Sequence, residues 1–441
     1  MKLILALIIL ILLANCSFDN KTGIWKNENI VSDKDEVLFK DFKTLSSSTK
    51  VFDKIIPYNK KFKFKIAKAT DNFEWKDIFY DESNNLKNFK YKGLNRLIFK
   101  SKKITKHKTN DYLLFEENNL ITSDQKGNIL IFSISANKII SKFNFYKKRY
   151  KNIKKTLNLI VENNIIYIAD NIGFIYAFNY KINKLVWAKN NKVPFRSNLK
   201  IIKNKLIASS QNNDLYIFSK LSGDTIKLIP TEDTIVKNQF INNLSLNKNN
   251  LFFLNTYGSL YSIDKDNLKI NWFINLNQSI DLNPSNLFSG HQIINKKNII
   301  VISSNQFTYI INASSGSVIH KKNFSSQIKP LILDDYLFLI TQNNLLIAMN
   351  INNGEVIYSL DINQQISEFL NIKKKSVSFK SIVAANNEVF IFLKNSYLLK
   401  YKINGILEEV IKLPSKIDSQ PIFVNSSLAF LDSSNKLSII D

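Results

Sequence analysis

The chain has a single cysteine, Cys16, in 441 residues. No intramolecular disulfide and no cysteine-based zinc site can therefore be built. Glycine is scarce, at 10 residues, and no two stand at the spacing of GxGxxG or GxxxxGK, which excludes a glycine-rich phosphate cradle. The 3 histidines, His107, His291 and His320, are far apart and show neither HxxxH nor HExxH spacing, so no metal site is expected. There is no GxSxG elbow, and the scattered Asp and Glu residues form no pair that spacing assigns to acid–base work. Sustained 3.6-residue periodicity is missing from the body of the chain. No catalytic residue and no resident cofactor are expected on these grounds.

Apolar and basic residues are abundant. Hydrophobic residues make up 45% and aromatics 12% of the chain, enough to exclude a disordered protein and to build an ample core. Lys and Arg number 61 against 36 Asp and Glu, a formal charge of +25. Such a charge first suggests nucleic acid or an anionic surface. The N-terminus changes that reading. Lys2 precedes an apolar run, Leu3–Leu13, of eleven residues, too short for a bilayer core of about 30 Å and of the length of a signal-peptide h-region. The run ends in Leu13-Ala14-Asn15-Cys16, which resembles a bacterial lipobox, although Asn15 replaces the usual small residue. The expected organisation is a signal peptide over 1–15, a lipidated and partly ordered tether over 16–90 starting at Cys16, and a folded domain over 91–441. Acyl chains on Cys16 would anchor the protein stably. An ordinary signal peptide with an incidental cysteine, or an N-terminal membrane anchor, is the alternative.

From residue 112 onward short β runs recur, rich in Ile, Leu, Val, Phe and Tyr and punctuated by Asn, Asp, Ser or Gly. Eight hairpins align on turns at Gly127, Gly173, Asn213, Gly258, Gln306, Asn344, Ser396 and Asn435, with a mean step of 44 residues. A period near 40–45 with several strands per unit is the mark of a β-propeller blade. Gly127, Gly173 and Gly258 fall in these turns, and Gly223, Gly316, Gly354 and Gly405 in the next turn along, where a positive φ is needed. The expected fold is all-β: an eight-bladed propeller of four-stranded antiparallel blades. The chain stops after the third strand of the eighth repeat, which would leave an unpaired edge. Leu97-Ile98-Phe99-Lys100 is the expected fourth strand; seven blades plus a stray hairpin is the alternative. Within the tether, Lys61–Lys68 alternates Lys with apolar residues like an edge strand, and Trp75 is expected to pack on the ring.

The turn before the last strand of a repeat, followed by Trp, resembles the repeat of PQQ-type propellers. In Asn183-Lys184-Leu185-Val186-Trp187 and Asn267-Leu268-Lys269-Ile270-Asn271-Trp272 the Trp is kept. Tyr358 and His320 fill the slot after Gly354 and Gly316. Such a propeller behind a lipobox is similar to the BamB family of outer-membrane β-barrel assembly lipoproteins. The resemblance covers about residues 96–441. It implies a non-enzymatic scaffold on the periplasmic face of the outer membrane, held by lipid on Cys16. It also implies docking on the POTRA domains of a BamA-like protein, near other assembly lipoproteins and unfolded barrel precursors. In that family an inter-blade loop with apolar residues and an Arg makes the contact. Pro194, Phe195 and Arg196 occupy the corresponding place, and Asn242 and Asn243 stand about where the family uses acidic residues. Trp187, Trp272 and Tyr358 would dock one blade on the next.

A quinoprotein or a small-ligand-binding propeller is the other reading of the same repeat, and a generic adhesion or polysaccharide-binding propeller has only the fold in its favour. The basic run Lys147–Lys155 between the first two repeats could meet an anionic surface, but a solvated loop explains it as well. No interleaving of aromatics with basic residues marks a nucleic-acid platform, and no nucleic-acid partner is expected of an exported chain. Lys, Asn and Ile are used heavily throughout, so the charge reads as background composition.

Overall fold

The computed structural model describes residues 16–18, 25–27, 52–233, 241–277, 288, 290, 292–304 and 306–441. It divides into two units, 1–50 and 51–441. In the first, Cys16–Phe18 pairs antiparallel with Trp25–Asn27.

The described residues of the second unit form eight β-sheets, each a blade, and the first strands of blades 1 and 2 and of blades 3 to 7 contact one another in succession around the hub. The innermost strands of blades 1 to 8 are Leu114–Glu116, Leu157–Glu162, Lys200–Ile202, Asn243–Leu246, Ile294–Lys296, Leu331–Leu333, Phe379–Ala385 and Ile422–Val424. Blade 8 is completed by Leu97–Lys100, which pairs antiparallel with Leu437–Ile440. The ring has eight blades and closes with a strand from the N-terminal side, so no outer strand is missing.

Two local features recur around the ring. In blades 1 to 4, 6 and 8 a polar side chain three residues before the left-handed residue of the central hairpin holds the turn. Asp170 Oδ1 accepts from the amides of Ile172, Gly173 and Phe174, each at 2.8 Å, and Asp124, Asn255 and Asp432 do the same in their blades. Ser210 and Thr341 do so through their hydroxyls. Side-chain support of this kind lets Asn stand at φ values of +59 to +69° at Asn213, Asn344 and Asn435, which explains how the ring forms with so few glycines; Ser396, at φ +72°, follows the apolar Leu393 and donates its amide to Leu393 O. The pairing of third and fourth strands also shifts register once in each of the eight blades, for example between Ala177 and Phe178. Such a bulge sharpens the twist that propeller blades need.

The segment expected to be a tether up to residue 90 is part of the ring from Phe52 onward. Ile56 exchanges two backbone hydrogen bonds with Ser359 on the outer strand of blade 6. Lys61–Lys68 is not a strand; Phe62 and Phe64 pack instead on Tyr58 and Tyr336, while the amide of Ala67 donates to Asp334 at 2.7 Å. Residues 72–89 then make one lap around the hub. Trp75 pairs with Phe115 of blade 1, Lys76 O accepts from Val161 of blade 2, Glu82 O from Leu246 of blade 4, and Ser83 O from Asn295 of blade 5. Asn85 exchanges hydrogen bonds of 2.9 and 3.0 Å with Ile332 of blade 6. Asn88 and Phe89 run parallel to Ala384 and Ala385 of blade 7, and Asn72 reaches Phe423 of blade 8. Edge amides and carbonyls of the inner strands, which would otherwise face the hub unpaired, are satisfied by this lap. The composition of 72–89, with its Asn, Asp, Ser and isolated aromatics, suits that role.

Candidate docking face

Two blade-to-blade connections meet at the hairpin-turn end of blades 2 to 4. The amide of Arg196 donates to Ser209 O at 3.0 Å, and Arg196 O accepts from the amide of Asn242 at 2.9 Å. Ser197 and Asn242 form a parallel bridge. The structure thus brings together the two loops singled out in the sequence, but not as an exposed contact pair. Phe195 is 1% exposed. Its ring lies 5.8 Å from that of Tyr216 and 6.0 Å from that of Phe218, inside the core between blades 2 and 3. It is a wedge between blades, because its amide is tied to Asp170 O and the side chain is thereby turned inward. Pro194 is half-buried and its carbonyl accepts from Gln211.

Asn242 is buried, donating from Nδ2 to Ser209 Oγ at 2.9 Å and Ser210 O at 2.8 Å. Its Oδ1 has no hydrogen-bond partner among the described residues. Asn243 is buried in the inner strand of blade 4. Neither asparagine can make the polar contact expected of it at the surface. Arg196 is half-buried, its Nη1 is enclosed without a partner among the described residues, and burial holds its guanidinium below the usual arginine range.

The same connection carries acidic residues that the sequence reading passed over. Glu232 and Asp233 are exposed. Glu232 accepts from Asn255 Nδ2 at 2.7 Å, Ser259 Oγ at 2.6 Å and the Tyr261 hydroxyl at 2.8 Å. Partial burial works against its charge, but these donors outweigh it and hold the carboxyl below the usual range. Asp214, in the neighbouring hairpin turn, is pushed up by burial and by Asp233. A signal was available: Glu232 and Asp233 are the sole acids between residues 225 and 263.

The blade-docking side chains each lie on a glycine of the next blade. A Cβ on Gly223 would stand 2.4 Å from the Trp187 ring, and one on Gly316 2.6 Å from that of Trp272. The indoles donate to Lys220 O at 2.9 Å and Ala313 O at 3.2 Å. His320 covers Gly354 and Tyr358 covers Gly405 in the same manner. The basic run is less open than its sequence suggests: Lys148–Tyr150 is a short 3-10 helix, and Lys155 is buried with its ammonium donating to Tyr150 O.

The hub is filled by the lap. Lys200 of blade 3 is buried and donates to Asp77 Oδ2 at 2.6 Å, Asp81 O at 2.9 Å and Asn84 Oδ1 at 2.6 Å. Lys329 reaches Asn84 O at 2.9 Å, and burial pushes its ammonium down to about 8. Above it a cavity of about 330 Å³ is lined by Tyr112, Gln292, Gln327, Lys329, Lys380 and Gln420, among others. A larger cleft of about 780 Å³ runs beside the lap at blades 4 to 6. Among the described residues no three His, Cys, Asp or Glu side chains gather in a way that could hold a metal, and no helix is long and apolar enough to cross a membrane.

No curated protein sequence matches the chain. Among solved structures it is similar to BamB from Moraxella catarrhalis, at 10% identity and a TM-score of 0.62, covering 78% of this chain and 99% of that one. It is also similar to the quinohemoprotein alcohol dehydrogenase of Comamonas testosteroni, at 10% identity and a TM-score of 0.61, over 83% of this chain and 80% of that one. A europium-containing methanol dehydrogenase gives a TM-score of 0.59 at 10% identity, over 83% of this chain and 89% of that one. At such identities these likenesses speak for the propeller fold alone. The family described as outer membrane protein assembly factor BamB matches residues 125–360, a span that runs from the first hairpin turn to the outer strand of blade 6 and holds both connections and all four docked side chains. The chain belongs to the BamB family.

Proposed function

We propose that this protein is a non-enzymatic scaffold of outer-membrane β-barrel assembly, anchored by lipid on Cys16 at the periplasmic face of the outer membrane. Its partner is a BamA-like protein bearing POTRA domains, in the company of other assembly lipoproteins and unfolded barrel precursors. The family match over residues 125–360 carries this reading. The hub supports it, because the chain's own lap occupies the axis that a ligand-binding ring would keep open. The docking face is where residues 191–199 meet residues 230–233 and 241–242, with Arg196, Glu232, Asp233 and the neighbouring Asp214 among its charged groups.

The test is recovery of a POTRA-bearing protein with the tagged chain from mild detergent. Arg196→Ala and Asp233→Lys should each reduce recovery at unchanged melting temperature. Full recovery with both changes combined refutes this face, and failure of the native chain to recover any such protein refutes the function. Phe195→Ala is a control of the opposite kind: it should destabilise the ring by about 3–5 kcal/mol as a buried aromatic truncation, and so lower recovery only through folding.

The likeness to quinohemoprotein enzymes and the 330 Å³ hub cavity favour a second reading, a small-ligand binder. The residues do not fit a calcium-held quinone. The cavity is lined mainly by Gln and Lys with one carboxylate, Asp111, and the chain has a single cysteine, so the vicinal pair of such enzymes cannot form. A rise in melting temperature on adding pyrroloquinoline quinone and calcium would overturn that judgement.

A further inference from the structure

Between blades 6 and 7 the ring carries its one described α-helix, Ile362–Leu370. It packs against the outer strands of both blades. Asp361 caps it by accepting from the amide of Gln364, and Ile362, Asn363 and Ile366 form its buried face. Its end is presented outward instead. Phe369, Leu370 and Ile372 are 48, 40 and 50% exposed, and Lys373, Lys374 and Lys375 follow at once. Every residue from Glu368 to Ser376 is exposed.

This stretch is held in place. Asn371 takes the left-handed conformation, at φ 50°. The Ile372 amide donates to Ser367 O at 3.0 Å and its carbonyl accepts from Ser367 Oγ at 2.7 Å. The amide of Val377 donates to Asn363 Oδ1 at 3.1 Å. A backbone fixed at these points leaves three large apolar side chains in water, where burial would otherwise be favoured. Beneath them an apolar pocket of about 250 Å³, lined by Ile366, Leu370, Tyr397, Leu399 and Val410 among others, opens beside Lys373 and Lys375. Lys374 pairs with Asp361 at 2.7 Å; Lys373 and Lys375 have no ion pair among the described residues.

Apolar side chains beside a cluster of lysines suit one surface, the boundary between acyl chains and anionic headgroups. The N-terminal arm joins the ring at the same place. Asn343 of blade 6 donates from Nδ2 to Phe52 O at 3.0 Å, and the next residue, Asn344, accepts from the Ile362 amide at 3.2 Å, where the helix begins. We propose that the 368–376 stretch is a membrane-surface contact that lays this rim on an anionic bilayer, Phe369, Leu370 and Ile372 entering the interface and Lys373 and Lys375 meeting the headgroups. This goes beyond the assembly role and requires neither the lipid on Cys16 nor a POTRA partner.

Residues 51–441 are a compact unit that includes every blade and the lap, so a chain starting at 51 is the test protein. It should co-sediment with phosphatidylglycerol–phosphatidylcholine vesicles at low salt, and much less with phosphatidylcholine alone. Lys373→Gln with Lys375→Gln should weaken binding about 25-fold, roughly fivefold per lysine. Phe369→Ser with Ile372→Ser should abolish it at unchanged melting temperature, since neither side chain is buried. In Phe369→Trp the added fluorescence should shift to the blue on anionic vesicles. No sedimentation, or sedimentation that both double variants leave unaltered, overturns the proposal. So does a vesicle-free dimer that the Phe369→Ser/Ile372→Ser variant abolishes, which would assign the patch to a second copy of the chain.

Discussion

The buried pair of Lys200 and Asp77 decides whether the lap belongs to the fold or merely lies on it. All three protons of the Lys200 ammonium are used by the lap, and Asp77 Oδ1 accepts from the Phe79 amide at 2.8 Å. Burial pushes the Asp77 carboxyl above its ordinary value of 3.8, and Lys200 draws it back only in part. Asp77→Ala therefore leaves an ammonium buried without its anion and an amide without its cap. Breaking a buried pair from one side costs about 3–5 kcal/mol. The double variant Asp77→Ala with Lys200→Met removes the orphaned charge and should regain most of that loss, because an apolar side chain of similar length is tolerated where an unpaired ion is not. Equilibrium urea unfolding of the three variants measures the cycle, and limited proteolysis within 60–91 reports whether the lap comes free before the ring. A loss under about 1 kcal/mol for Asp77→Ala, or a double variant no more stable than the single, would refute the argument that the lap is clamped electrostatically. The sign of the pH effect is fixed as well. With the folded carboxyl raised, the native state holds its proton longer than the unfolded chain, so this group's stabilisation is present below the ordinary value and lost as pH rises through the folded one. Asp77→Asn should remove that slope.

Two other outcomes test neighbouring parts of the ring. Lys329 is pushed down to about 8 from 10.5; the unfolded chain then binds more protons between those values, stability should rise by up to about 3 kcal/mol from pH 8 to 10.5, and Lys329→Met should flatten that rise in denaturant titrations. Gly223→Ala forces a Cβ to within 2.4 Å of the Trp187 ring at φ +74°; strain and overpacking of this kind cost about 1–3 kcal/mol each, read as a lowered melting temperature and a changed Trp187 emission, and native stability would contradict the docking geometry.

Much of the ring was legible because its code is local and repeated. Alternating apolar residues mark most strands, and an Asn or Gly with a polar residue three places earlier marks six of the eight turns; eight copies at a mean step of 44 residues then fix the blade count. The closing strand was legible for the same reason: an eighth repeat lacking its last strand needs a partner, and Leu97–Lys100 is the apolar run nearest the ring's start. The candidate site was less so. Phe195 beside Arg196 looks like an exposed anchor pair in sequence, yet residues adjacent in a strand-like loop point to opposite sides, and the tie from the Phe195 amide to Asp170 O settles which side faces the core. Asn242 and Asn243 read as surface residues by type, but Asn242 is bound to Ser209 and Ser210 of blade 3 and Asn243 begins the buried inner strand of blade 4, and Glu232 and Asp233 lay in the same connection unweighed.

Composition and period were enough for the class of fold and the number of blades, since both depend on residue type and spacing alone. The lap of residues 72–89, the wedge at Phe195, the clamp by Lys200 and Lys329 and the presentation of Phe369 and Ile372 belonged to the tertiary structure. Each joins residues up to several hundred positions apart, or depends on which way one side chain faces, and no local pattern carries that information.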